Sequence, residues 1–182
     1  MAKFFDALTD KHRRFILAQP MFFVATAAAD GRVNLSPKGM DTFRVFSPNQ
    51  VAYLDLMGSG NETAAHLLAS NRITIMFCSF GQNPLILRLY GKGRSIKPGS
   101  MEFEELVACF PPMNGVRQIF LIDVETAQTS CGKAVPQIAS LTERTALVEA
   151  LGRMSPGEAE AYKKEKNNVS IDGLPTGLGS KV

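Results

Sequence analysis

The stretch RVNLSPKGMDTFRVFSPNQVAYLDLMGSGNETAAHLLASN, Arg32–Asn71, decides the fold. It begins with a short apolar strand, Arg32 to Leu35, which Ser36-Pro37-Lys38-Gly39 interrupts. Proline has no N–H for a ladder, so the chain there leaves the sheet or runs along its edge. Phe43 to Phe46 and Val51 to Leu56 read as two further strands about the turn Ser47-Pro48-Asn49-Gln50. The loop Met57-Gly58-Ser59-Gly60 then leads into a helix over Glu62 to Ser70. Ser59 with Glu62 three residues on has capping-box spacing, which predicts a helix start near Gly60. Unpaired N–H groups at such a start attract an anion, most often a phosphate. The same spacing also describes an ordinary capped helix that binds nothing.

Working outward, Lys3 to Gln19 has helical apolar spacing and ends at Pro20. Met21 to Ala28 reads as a strand, and Asp30-Gly31 as a hairpin turn. Arg72 to Phe80 and Leu85 to Ile96 are strands of buried type. Gly91 and Gly93 inside the second mark a bend or a close backbone approach. Pro98 can open a helix running to about Cys109, and Val116 to Gln128 is the last strand. Leu141 to Met154, capped by Thr142, and Pro156 to Lys166 read as two helices. About six strands joined by short hairpins predict a mainly β fold with added helices, a mostly antiparallel barrel. Strand–helix alternation is not sustained, which disfavours a doubly wound sheet. The whole chain, 1–182, reads as one domain whose C-terminal helices and tail span about 141–182.

Composition narrows the function classes. The chain has 182 residues, 45% hydrophobic and 20% charged, with a net charge of +3, ordinary for a globular domain and too weakly basic for nucleic acid. Cys78, Cys109 and Cys131 are far apart, without the spacing of a disulfide framework or a zinc site. His12 and His66 are the only histidines, which argues against a histidine metal centre. No signal-peptide core or membrane-length apolar run is visible, so a cytoplasmic protein without membrane contact is expected.

Five pieces in order carry a resemblance: VNLSPKG (Val33–Gly39), VAYLDLMGSGNETAAHL (Val51–Leu67), LRLYGKGR (Leu87–Arg94), TSCGKAVP (Thr129–Pro136) and KNNVSIDGLP (Lys166–Pro175). With these the chain resembles the FMN-binding split-barrel superfamily, the pyridoxamine 5′-phosphate oxidase-like proteins, in a flavoprotein branch rather than the oxidase itself. The resemblance implies a six-stranded antiparallel split β-barrel. It also implies a homodimer with FMN at the subunit interface. The flavin would lie along Asn34, Ser36 and Lys38, with Tyr53 and Asp55 on a neighbouring strand. Its phosphate would sit near Ser59, Gly60, Asn61 and Thr63, and the segment holding Cys131 would touch the ring. Where the oxidase has an Arg-Lys pair at the phosphate, this chain has Gly60 and Asn61, leaving Arg88 and Lys38 as candidate cations. The chain has no tryptophan and lacks the oxidase's C-terminal Arg/His substrate motif.

Each residue also has a plainer reading. Lys38 could be a loop surface charge, Arg88 a structural ion-pair partner, Asp55 a strand end, and Ser59 and Thr63 helix caps. Glu62 fits the capping box and would repel phosphate, so it reads as structural. His66 reads as a packing residue, and Cys131 lacks the base a nucleophile needs. The implied function is an FMN-dependent oxidoreductase of unassigned small-molecule substrate. The alternatives are a non-catalytic flavin- or haem-binding module, or a deazaflavin-dependent reductase on the same barrel.

Overall fold

Two long strands, β7 (Leu85–Ile96) and β8 (Val116–Cys131), form the spine of the fold in a computed structural model that describes residues 2–178. Around them run β1 (Lys3–Phe5), β2 (Phe22–Thr26), β3 (Asn34–Lys38), β4 (Phe43–Ser47), β5 (Gln50–Leu56) and β6 (Arg72–Cys78). The order across the sheet is β3-β2-β6-β7-β8-β5-β4, with β1 also on β8, and every pairing is antiparallel. The helices are α1 (Asp10–Leu17), α2 (Glu62–Ser70), α3 (Met101–Val107), α4 (Ala146–Gly152) and α5 (Pro156–Lys166).

The sheet coils because one face is apolar along almost every strand. Phe22, Val24, Phe43, Val51, Tyr53, Ile75, Phe77, Leu87, Leu89, Phe120 and Ile122 share one buried cluster. β2 and β4 are far apart in the order, yet the rings of Phe22 and Phe43 meet edge-on at 4.9 Å. A smaller cluster packs Leu54, Ile119 and Leu121 against Phe103 of α3 and Phe110.

The fold is thus mainly antiparallel β with helices, as expected, but with eight paired strands rather than six. One extra strand comes from the N-terminus, where a single helix over 3–19 is replaced by β1 and α1. Lys3, Phe4 and Phe5 pair with Thr129, Gln128 and Ala127. Thr9 then stops any helix from extending backward. Its Oγ1 accepts from the His12 N–H at 3.3 Å, and its own N–H donates to His12 Nδ1 at 3.2 Å, a complete capping box. Thr9→Ala is expected to lower stability by about 1 kcal/mol, read as a shifted urea midpoint at unchanged slope.

Pro37 lies in β3, which continues to Lys38; β3 ends the strand order, so the missing N–H falls on a sheet edge. α3 starts behind Ser100, whose Oγ accepts from the Phe103 N–H, and not at Pro98. α4 is shorter than expected and begins at Ala146, beyond Thr142. α5 matches its expected range, with a Ser155–Glu158 capping box. Among the described residues no helix is long and apolar enough to cross a membrane.

Candidate functional site

The C-terminal ends of β3 and β5, the Gly58–Asn61 loop and the first turn of α2 converge with Arg117 at the start of β8. They enclose a recess of about 340 Å³, lined among others by Asn34, Ser36, Lys38, Asp55, Ser59 and Thr63. That volume is in the range of small-molecule sites, roughly 300–1,000 Å³.

Its electrostatic centre is Asp55, 2% exposed and opposite Gln118 in the β5–β8 ladder. Lys38 Nζ lies 3.1 Å from Oδ1. Oδ2 accepts from Arg117 Nε at 2.8 Å, Arg117 Nη2 at 2.7 Å and Gln118 Nε2 at 2.9 Å. Burial alone would raise the Asp55 carboxyl. Lys38 and Arg117, together with the Gln118 and Arg117 hydrogen bonds, outweigh it and hold the group below the ordinary carboxylate value. The same residues grip the loop: Arg117 Nη1 donates to the Gly60 carbonyl at 2.8 Å, and Gln118 Nε2 to Asn61 Oδ1 at 2.7 Å.

This grip changes the start of α2. The helix begins at Glu62 behind Asn61, and the Ser59–Glu62 capping box expected from spacing does not form. Asn61 makes no side-chain cap either, because its amide is committed to Gln118 and to the Asn167 carbonyl. The first turn, with Glu62 and Thr63 lining the recess, therefore keeps N–H groups without a side-chain acceptor. Glu62 accepts instead from the Ile171 N–H, at 3.1 Å to each carboxylate oxygen. Beside this end lie the Lys38 ammonium and the hydroxyls of Ser36, Ser59 and Thr63. Such a donor set suits a phosphate monoester that also carries hydrogen-bonding groups.

Eight of the expected residues thus come together: Asn34, Ser36, Lys38, Asp55, Ser59, Gly60, Asn61 and Thr63. Asn34 links them, donating to Thr63 Oγ1 at 3.2 Å and accepting from Ser36 at 3.1 Å. Tyr53 lies beneath the recess rather than in its wall. It is fully buried, its ring 5.0 Å from Phe120, with Lys38 Nζ 5.9 Å from its centroid. Burial, and then the Asp55 charge, push its phenol well above the usual value.

Arg88 and Cys131 are elsewhere in the same chain. Arg88 stands opposite Gln128 and donates to Ser130 Oγ at 3.2 Å, and Cys131 pairs with Leu85. Roughly 30 Å of strand separates Gln128 from Gln118 at the recess. Arg88 does not line the recess of its own chain. Arg117, which the sequence reading passed over, lines it instead, with its guanidinium held by Asp55 and the Gly60 carbonyl. Its signal was the polar pair Arg117-Gln118 just before the apolar run Ile119 to Ile122. Neither histidine lines the recess. His12 belongs to the α1 cap, and His66 is buried with Nδ1 3.0 Å from Thr26 Oγ1.

Comparison with known proteins agrees with this arrangement. The family model for pyridoxamine 5′-phosphate oxidase matches residues 8–131. The pyridoxamine 5′-phosphate oxidase family protein UstO of Aspergillus flavus is 36% identical over 200 residues, spanning all of this chain and 80% of its own length. HupZ of Group A Streptococcus superposes with a TM-score of 0.53 at 21% identity, over 65% of this chain and 90% of that one. A pyridoxamine 5′-phosphate oxidase-type protein of Lactobacillus delbrueckii gives 0.57 at 15% identity, over 68% and 94%. The two structures establish a shared fold. With the family match spanning β2 to β8 and the UstO identity, the chain belongs to the pyridoxamine 5′-phosphate oxidase family.

Proposed function

We propose that the protein is an FMN-binding flavoprotein that acts as an oxidoreductase on a small molecule. One observation carries the reading: the uncapped first turn of α2 opens into the same recess as Lys38, beside the buried Asp55–Arg117 pair. The turn and the hydroxyls of Ser59 and Thr63 receive the phosphate, and Lys38 supplies a nearby cation. Asn34 and Ser36 on β3 present hydrogen-bonding groups to the ring system and ribityl chain. Arg117 and Asp55 act from behind. They fix the loop carbonyl at Gly60 and keep Lys38 in place, so the site is shaped before ligand arrives. Bound flavin supplies the hydride and electron chemistry, and the protein supplies binding and orientation.

In this proposal the coiled sheet is the split barrel of the family, with six strands as its framework. Two chains form a homodimer in the cytoplasm, with FMN at the interface. Arg88 and Cys131, remote from the recess of their own chain, are then supplied by the second subunit.

Titration with FMN, followed by visible absorption and flavin fluorescence, tests the reading. The expected result is a two-banded flavin spectrum that stays with the protein on gel filtration, at twice the mass of one chain. Lys38→Ala is expected to weaken binding by about tenfold, the scale of one charge-assisted contact. Reduced nicotinamide should bleach the bound flavin. A protein that leaves the FMN spectrum unchanged overturns the proposal.

A further inference from the structure

The recess is braced by a segment far away in sequence. After α5 the chain passes over the loop and the start of α2, and closes on itself through a Val169–Pro175 bridge. Asn167, fully buried, donates from Nδ2 to the Gly58 carbonyl at 2.9 Å and accepts from Asn61 Nδ2 at 3.4 Å through its own carbonyl. Thr176 Oγ1 donates to that carbonyl at 2.6 Å and locks it. Four residues on, the Ile171 N–H takes both carboxylate oxygens of Glu62. Asp172 pairs with Arg32, next to β3, through its side chain and the Arg32 N–H.

We propose that this C-terminal strap sets the preference of the recess for phosphorylated flavin, with Asn167 and the Ile171 N–H as positioning groups. The proposal rests on the flavin reading above. Glu62 is the one lining carboxylate without a cationic partner among the described residues, and it stands where a phosphate would bind. A free carboxylate there repels a dianion. Tied to Ile171, its oxygens are occupied by a strap donor, and the N–H groups of the first turn remain for the phosphate. Asn167 performs the matching task on the other flank, where its hold on Gly58 and Asn61 keeps the loop in its open shape.

The test compares FMN with riboflavin, which lacks the phosphate, by fluorescence quenching in the full chain. The variants are Asn167→Ala and Ile171→Pro. Ile171 is exposed and is the second residue of the Ser170–Gly173 turn, a position that accepts proline, so Ile171→Pro deletes the N–H donor while keeping the turn. Each variant is expected to weaken FMN binding about tenfold with riboflavin binding unchanged, a loss of one charge-assisted contact or its equivalent in repulsion. Adding Glu62→Gln to Ile171→Pro should restore FMN binding. The inference is overturned if the FMN-to-riboflavin ratio stays at the wild-type value in Ile171→Pro, or if both flavins weaken equally. If Asn167→Ala does not fold, Ile171→Pro decides alone. Wild-type protein that binds neither flavin overturns the flavin reading itself, and this inference with it.

Discussion

Asp55→Ala is expected to destabilise the protein by about 3–5 kcal/mol, the cost of breaking a buried ion pair by removing one partner. The reason is what remains. Arg117 is 4% exposed and would stay buried with its main acceptor gone, and Gln118, fully buried, would lose one of its two acceptors. Lys38 is less affected, because its side chain is a quarter exposed and can turn to water. Urea unfolding of the variant should show the loss as a lower midpoint. The pH dependence gives a second readout. In the folded protein the Asp55 carboxyl is held below its ordinary value, so the unfolded chain takes up this proton first as pH falls. Its contribution is therefore complete above the unfolded carboxylate value, about 3.9, and is lost as pH drops through the lower folded value. Asp55→Asn, which keeps the shape, should show a shallower loss of stability in that acid range than wild type. Equal acid slopes for the two proteins would remove Asp55 from the account.

Gly91→Ala is expected to cost about 3 kcal/mol or more, at the upper end of overpacking effects. β7 and β8 lose register between Tyr90 and Gly91: Tyr90 pairs with Thr126, and Gly91 with Val124, so Glu125 is the extra residue of a bulge. The Asp123 backbone approaches Gly91 so closely that a Cβ would overlap its carbonyl oxygen. The same Cβ would sit 3.0 Å from the carbonyl carbon and 3.1 Å from the Val124 Cα. Main chain cannot rotate aside as a side chain does, so the central ladder of the sheet must shift. Gly58, which has nothing within 4 Å of the corresponding position, provides the control, and Gly58→Ala should leave the midpoint nearly unchanged. A Gly91→Ala protein as stable as the Gly58→Ala one would show that the bulge can relax.

Local signals carried much of this protein. Alternating and continuous apolar runs placed β5, β6 and β7 within two residues of their ends, because burial against a core demands those patterns wherever the strand goes. The Gly91 close approach and the edge position of Pro37 also follow from local chemistry, the absence of a side chain and the absence of an N–H. The loop before α2 was visible as a candidate site because its small residues Gly58, Ser59 and Gly60 serve no core. What sequence spacing misjudged were features decided by partners far along the chain. Ser59 and Glu62 have the spacing of a capping box. Yet Glu62 is taken by Ile171 and Asn61 by Gln118 and Asn167, more than 50 residues away. The segment 3–5 has helical spacing, but an open edge of β8 and the Thr9 cap make it a strand. Arg88 and Arg117 look alike as arginines beside apolar strand residues, and only the β5–β8 register puts Arg117 against Asp55. The sequence alone thus determined most of the strands, the loop and the family. The tertiary structure decided which cations pair with Asp55 and what holds Asn61 and Glu62 at the start of α2, because a hydrogen bond or an ion pair goes to whichever partner the fold brings within about 3 Å, whatever its distance along the chain.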